Sequence, residues 1–276
     1  MKVYIQSNRY QSIAAKVAKY SFERFGYDVE IMSLEKNHIL LDKINNQIKR
    51  NNKIVKYKDD LQSFTLLRFY APFLCKTKSN ILVIDPDIFA LKDPKDLFNE
   101  IQNNEFDIAC TFYNDNPRSE MMLINTNSVK WDFDNIVEKL FNFEIDYKDL
   151  MNLNFDKNLK IKKIDNKYNS HDKVDYDTVL LHTTNRITQP WKEGLKINFE
   201  RSNFSYFNLI KQYIKKSLNF DYDKNLLNNI FQKHPDEKVR DVVKKLFIEA
   251  KNKKIISEQE INNEINNKNL SKNIFS

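Results

Sequence analysis

Residues 81–89 read Ile81-Leu82-Val83-Ile84-Asp85-Pro86-Asp87-Ile88-Phe89, four apolar residues running straight into an acid–proline–acid step. An unbroken apolar run of this length reads as a strand buried on both faces, which requires packed layers above and below it. Carboxylates at the C-terminal end of such a strand fall where open α/β sheets place their ligand crevice. Pro86 fixes its own φ and pushes Asp85 towards extended backbone, so the acids sit on a stiff step. On a regular strand Asp85 and Asp87 point to the same side. Two carboxylates so placed repel each other unless a cation sits between them, and oxygen ligands suit Mg2+ or Mn2+ bridging to a phosphate. The competing reading is a β-turn with two solvated acids.

The rest of the chain supplies the layers. Residues 2–6 read as a strand, 11–25 as a helix with Ala14, Val17, Ala18, Ser21, Phe22 and Phe25 at helical spacing, and 29–32 as a second strand. Gly26 stands where a helix ends in the left-handed region. This β-α-β opening predicts a parallel sheet with a right-handed crossover. The turn between the first strand and helix then faces the crevice, which makes Asn8 and Tyr10 candidates to contact a base. Residues 35–60 lack periodicity and read as a mobile surface segment with one short helix. A helix is expected over 61–74, bent or ended at Pro72. Arg68 is the one strong base on that apolar stretch, so a buried Arg68 needs Asp85 or a phosphate as partner. A further helix is expected over 91–101, capped by Asp93-Pro94. Strands follow at 107–113 and 121–125, helices at 131–143 and 147–153, short strands at 161–165 and 179–183, and helices from 204 to the end.

Composition excludes several classes. Only two glycines occur in 276 residues, Gly26 and Gly194, so neither G-x-G-x-x-G nor a Walker A loop can be written. A bound nucleotide must therefore be held by metal and side chains. The net charge of +7 comes without a dense Lys/Arg block, so no nucleic-acid partner is expected. Cys75 and Cys110 sit in apolar contexts and read as reduced core residues. The first eight residues carry no apolar run of the signal-peptide type, and no stretch approaches about 18 apolar residues. The expected location is the cytoplasm. Peripheral membrane contact through Lys211, Tyr213, Ile214, Lys215 and Lys216 competes with a plain solvated helix face.

A second landmark follows the apolar Val179-Leu180-Leu181: His182-Thr183-Thr184-Asn185-Arg186-Ile187-Thr188-Gln189-Pro190-Trp191. The order apolar–Asp-x-Asp, then Met121-Met122-Leu123-Ile124-Asn125, then Ile164-Asp165-Asn166-Lys167-Tyr168-Asn169, then this His-to-Trp stretch resembles the bacterial glycosyltransferases of family 8. Residues 63–73 resemble the family's Arg-Phe…Pro helix. The likeness spans about residues 2–200. It implies an α/β fold of the GT-A type, a mostly parallel central sheet flanked by helices, over 1–200, with a helical C-terminal extension over 201–276. It implies a transferase using a nucleotide-sugar donor, a UDP-sugar, with Mn2+ or Mg2+, acting on a glycan or lipid-linked acceptor with retention. Carried over by position, it assigns Asp85, Asp87 and His182 to the metal. Asn8 and Tyr10 go to the uracil, Arg68 to the donor sugar or diphosphate, and Asp149, beside Lys148, to the neighbourhood of the reacting carbon.

The chain also departs from the family. Tyr147-Lys148 stand where the family has Asp-Gln, and Arg118-Ser119-Glu120 replace its Asn-Ser-Gly. Gln189 stands at the phosphate-binding lysine, which leaves Arg186 or Lys192 to neutralise the diphosphate. Two other readings compete with transfer. A haloacid dehalogenase-type phosphatase also places Asp-x-Asp after an apolar strand, but it wants Thr or Val where Phe89 stands. A catalytically silent sugar-nucleotide or glycan-binding protein is the reading outside enzymes.

Overall fold

The computed structural model describes residues 2–75, 79–101, 105–197, 199, 214–218 and 229–276. Chain contacts divide it into two compact units, Met1–His182 and Thr183–Ser276, a division that falls ahead of the boundary expected at residue 200. In chain order the strands are β1 (Lys2–Ser7), β2 (Asp28–Ser33), β3 (Gln47–Arg50), β4 (Lys53–Lys56), β5 (Asn80–Ile84) and β6 (Ile88–Ala90). They continue with β7 (Ile108–Tyr113), β8 (Asn116–Asn125), β9 (Ile161–Lys163), β10 (Ser170–His171) and β11 (Leu180–His182). The helices of the first unit are α1 (Ser12–Glu23), α2 (His38–Leu41), α3 (Ala71–Leu74), α4 (Phe133–Phe141) and α5 (Tyr147–Met151).

The central sheet has six strands in the order β2-β1-β5-β8-β7-β9. β1 is parallel to β2 and β5, and β7 to β9; β8 alone runs against the others. The sheet is therefore mostly parallel, as the apolar runs predict. β1 and β5 are buried on both faces because alternate residues serve different layers. Tyr4, Ile81, Val83, Ile108, Cys110, Met122 and Ile124 join one core with Phe64, Leu66, Leu67, Phe69 and the apolar side of α4. Val3, Ile5, Leu82 and Ile84 are fully buried on the other face, the alternate positions of the same strands. α1 packs on β1, β2 and β6 through Ala14, Val17, Ala18 and Phe22. Gly26, at φ +86°, ends the turn after α1, its N–H on the Glu23 carbonyl at 2.9 Å. Each buried aliphatic side chain contributes about 1.5–3 kcal/mol, so the two-sided burial of β1 and β5 anchors the sheet.

The structure corrects several local expectations. Residues 35–60 are not a loose segment: they hold α2 and an antiparallel hairpin of β3 and β4. Asn51 and Asn52 close that hairpin with both φ angles positive, at 52° and 59°, the backbone of a type I′ turn. The hairpin escapes a reading by hydrophobicity because β4 is exposed along its whole length and rich in lysine. The helix expected over 61–74 is a 3-10 helix, Ser63–Phe69, followed by the separate turn α3, with Pro72 in the first turn of α3 where its missing N–H is harmless. The helix expected over 91–101 is a 3-10 helix, Lys95–Ile101. β6, β10 and β11 form a second, three-stranded sheet.

In the second unit, α6 (Glu237–Asn252) and α7 (Glu258–Asn266) are helices as expected. The Trp191 ring stacks on Phe247 with centroids 5.8 Å apart, and Ser271 N–H donates to the Trp191 carbonyl at 2.7 Å. The helices expected over 204–213 and 219–228, with Lys211 and Tyr213, lie outside the described residues. Ile214 stands exposed on a short helical turn with Lys215 and Lys216. Among the described residues no helix is long and apolar enough to cross a membrane.

One carboxylate clasps the missed hairpin to the helical layer. Asp146 accepts backbone N–H groups from Asn51 at 3.0 Å, Asn52 at 2.8 Å and Lys148 at 2.8 Å, so it closes the hairpin tip and caps α5 together. Burial raises its pKa, but the three N–H donors outweigh that and hold it below the ordinary carboxylate range. The folded value is depressed, so this stability is present above the unfolded pKa of about 3.9 and is lost as pH falls through the folded value. Asp146→Ala should lower the unfolding free energy by about 1–3 kcal/mol at neutral pH in urea titrations. The gap to the parent should narrow below about pH 3.9; a gap that holds constant into acid would show that the carboxylate is not the clasp.

Candidate metal centre and active site

β5 ends at Ile84, and Asp85-Pro86-Asp87 is a turn, closed by Ile88 N–H on the Asp85 carbonyl at 3.3 Å. The two acids therefore converge through the turn and not through strand alternation. The chain re-enters as β6, which pairs antiparallel with β11 so that His182 lies opposite Ile88, one residue from Asp87. That register brings together residues far apart in the chain. Donor atoms of Asp85, Asp87 and His182 lie within 4.8 Å of one another, and all three residues are buried. His182 Nε2 is 3.3 Å from Asp87 Oδ1.

The surroundings orient each group. Arg68, on the 3-10 helix Ser63–Phe69, grips Asp85 with Nε at 3.0 Å and Nη2 at 2.7 Å from Oδ1, and with Nη2 at 2.5 Å from Oδ2. Its Nη1 donates to Ser119 Oγ at 3.0 Å and lies 3.0 Å from Met151 Sδ at the end of α5. Of the partners the sequence offers Arg68, Asp85 is the one it meets here. Gln6 of β1 also donates to Asp85 Oδ1. On the histidine, Nδ1 is 2.9 Å from Asn169 Oδ1, while Asn169 Nδ2 donates to Thr111 Oγ1 at 2.9 Å. That amide oxygen faces His182 Nδ1 and so turns Nε2 towards Asp87.

The electrostatics follow from burial. Burial pushes the Asp85 carboxyl above the ordinary range, with Arg68 pulling the other way and Asp87 adding to the rise. Burial alone would lower His182, but the carboxylates of Asp87, Glu120 and Asp85 outweigh it and leave the imidazole raised. Glu120 completes the group. The β5–β8 ladder runs one step past Ile84, with Asp85 N–H on the Glu120 carbonyl at 3.0 Å, so Glu120 sits beside Asp85. Its Oε2 accepts from Arg118 Nε at 3.1 Å, and its Oε1 is 3.1 Å from His171 Nε2. Burial works against its charge, but His171, His182, Arg118 and Arg68 hold its pKa well below the carboxylate range.

The other candidates have their own surroundings. Asn8 is buried and spends both amide hydrogens on the Asp60 carbonyl and Ser63 Oγ, while its Oδ1 accepts the Tyr10 N–H at 3.1 Å. Tyr10 is half-buried under the Arg9 guanidinium, 4.8 Å from its ring centroid. Lys148 and Asp149 line a cavity of about 500 Å3 with Lys49, Asn51, Asn116 and Asn152, and Asp149 Oδ2 accepts the Asp146 N–H at 3.3 Å. Arg186 and Lys192 belong to the second unit, where Arg186 lies over Phe199 and Lys192 over Phe231. Lys192 is fully buried.

Two hard carboxylates and an imidazole with its nitrogen pre-aimed make a donor set suited to Mn2+ or Mg2+. No protein-family model and no curated protein matches the chain. Solved structures do. The glycosyltransferase GlyE of Streptococcus pneumoniae TIGR4 is 16% identical over 81% of this chain, with a TM-score of 0.46; the chain spans 65% of that protein. The galactosyltransferase LgtC, in complex with donor and acceptor sugar analogues, is 12% identical over 69% of this chain and 89% of its own, with a TM-score of 0.45. Mouse xyloside xylosyltransferase 1 is 11% identical over 66% of this chain and 97% of its own, with a TM-score of 0.42. All three are glycosyltransferases. Likenesses this distant assign no substrate, metal or residue to this chain.

Removing Arg68 leaves Asp85 buried beside two further carboxylates. Arg68→Ala should destabilise by about 3–5 kcal/mol. The double variant Arg68→Ala/Asp85→Ala should recover part of the loss, because the uncompensated charge goes with its partner. Urea unfolding of the two variants checks this, and a loss under about 1 kcal/mol for Arg68→Ala would place the pair in solvent-like surroundings.

Proposed function

We propose that the chain is a metal-dependent glycosyltransferase of the family 8 kind. It would move a hexose from a nucleotide sugar, a UDP-sugar, to a glycan or lipid-linked acceptor with retention. The observation that carries this reading is the convergence of Asp85, Asp87 and His182 on one buried point at the C-terminal end of β5. Asp85, Asp87 and His182 would hold Mn2+ or Mg2+, and a cation bound there would draw off charge as a sugar–diphosphate bond breaks.

The chain's own residues do the rest. Arg68 fixes the rotamer of Asp85 and balances its charge. Asn169 faces His182 Nδ1 and leaves Nε2 to the ion. Tyr10 presents a ring to the uracil by stacking; Asn8, with both amide hydrogens engaged in the protein, shapes the turn that presents it. Asp149, beside Lys148 in the polar cavity, supplies negative charge for an oxocarbenium-like carbon. Arg186 or Lys192 supplies positive charge to the leaving diphosphate, an assignment that comes from the resemblance.

A panel of UDP-sugars incubated with Mn2+ should yield UDP with at least one donor, and chelation should stop it. Asp87→Asn should lower that rate by about two to three decades, the range for losing one preorganised electrostatic partner. The thermal transition should stay near that of the parent. Phosphomonoester hydrolysis with Mg2+ and no UDP release from any donor would favour the phosphatase reading and end this one.

A further inference from the structure

Beside the Asp85–Asp87–His182 group lies a second set of side chains. β10 pairs in parallel with β11 so that His171 is the register partner of His182. Partners in a ladder point the same way, and the two imidazoles meet edge to face with centroids 5.3 Å apart and planes at 88°. Glu120 reaches them from β8. Donor atoms of Glu120, His171 and His182 lie within 4.8 Å of one another. Glu120 is 6% exposed, and its Oε1 faces the His171 ring nitrogen at 3.1 Å. Its other oxygen is held by Arg118, so the carboxylate cannot turn away. A buried carboxylate oxygen that faces two ring nitrogens is placed to serve as a ligand.

We propose that Glu120, His171 and His182 form a second divalent-cation site, of the two-imidazole, one-carboxylate type that takes Zn2+ or Co2+, sharing His182 with the first. Two imidazoles shift the preference from Mg2+ and Mn2+ towards the later first-row ions, and three protein ligands leave a position open. His182 Nδ1 is engaged by Asn169, so the ring has one nitrogen to give, and the two sites exclude each other. His171 has 37% of its side chain exposed, which gives an ion a path in. This inference stands on geometry alone and does not rest on glycosyl transfer.

The test is metal binding without substrate. Zn2+ is titrated calorimetrically, and Co2+ by its d–d absorption, into the full chain and into His171→Ala, Glu120→Gln and Asp87→Asn. The parent should bind one ion per chain, and added Mn2+ should compete for it. His171→Ala and Glu120→Gln should each weaken Zn2+ by at least about tenfold, since losing a ligand costs no less than losing a ligand's support. Asp87→Asn should keep the Zn2+ affinity and the Co2+ spectrum. His171, half-exposed at a sheet edge, can be replaced without opening the core, and Glu120→Gln keeps shape, so loss of binding is read in folded protein. Parent-like Zn2+ binding in both variants, two ions bound at once, no Zn2+ binding by the parent, or loss of Zn2+ in Asp87→Asn would each overturn the proposal. Loss of Mn2+ binding alone in Asp87→Asn bears only on the transferase reading.

Discussion

The Arg68–Asp85 pair governs how this site is built. Two unit charges about 3 Å apart attract by roughly 5 kcal/mol at the effective dielectric of a protein site, but removing both from water costs several kcal/mol per ion. The net contribution to stability is therefore small, and the pair's consequence is orientation. The guanidinium takes both oxygens of Asp85 and also reaches Ser119 and Met151, so it ties β5, β8 and α5 to one carboxylate. Asp87 and Glu120 add two more buried acids close by. Arg68 and Arg118 offset part of that negative charge.

Register turns that local chemistry into a site. His182 meets Asp87 because β11 pairs with β6 in one register; His171 meets His182 because β10 pairs in parallel with β11; Glu120 meets Asp85 because β8 continues the β5 ladder. Side chains alternate along a strand, so a slip of one residue in any of these pairs would send a ligand to the opposite face. Burial of β5, β6 and β11 opposes such a slip. β1, β5 and β8 carry apolar residues on both faces, and a shifted register would bury polar ends. The core thus specifies the site without touching an ion.

Periodicity and burial explain which parts could be read in advance. The opening strand–helix–strand, the apolar run at 81–84 and the two acids after it announce themselves because long buried elements leave strong patterns. The β3–β4 hairpin does not: its strands are short and lysine-rich, and its turn signal is Asn51-Asn52, where glycine would have been more telling. Short apolar stretches share the α and 3-10 spacings, so the sequence shows a helix at 63–69 and 95–101 without its type. Among the ligands, Glu120 left a signal that was read only as a missing glycine, a charge inside an otherwise buried strand. His171 left none, since its meaning lies in a two-residue strand paired with a distant one.

That missing glycine has a physical consequence. Where the resembling family has glycine, a residue without a side chain leaves space and no charge. Glu120 fills the space with a carboxylate whose backbone is pinned by Asp85 and whose outer oxygen is pinned by Arg118. Such a group stays charged while buried only if cations surround it, and two imidazoles and two arginines do. His171 faces Glu120 Oε1 at 3.1 Å, so the carboxylate in place of the glycine and this imidazole stand in one arrangement. His182 is then drawn by carboxylates on two sides, and what occupies its Nε2 depends on which side holds the stronger competitor.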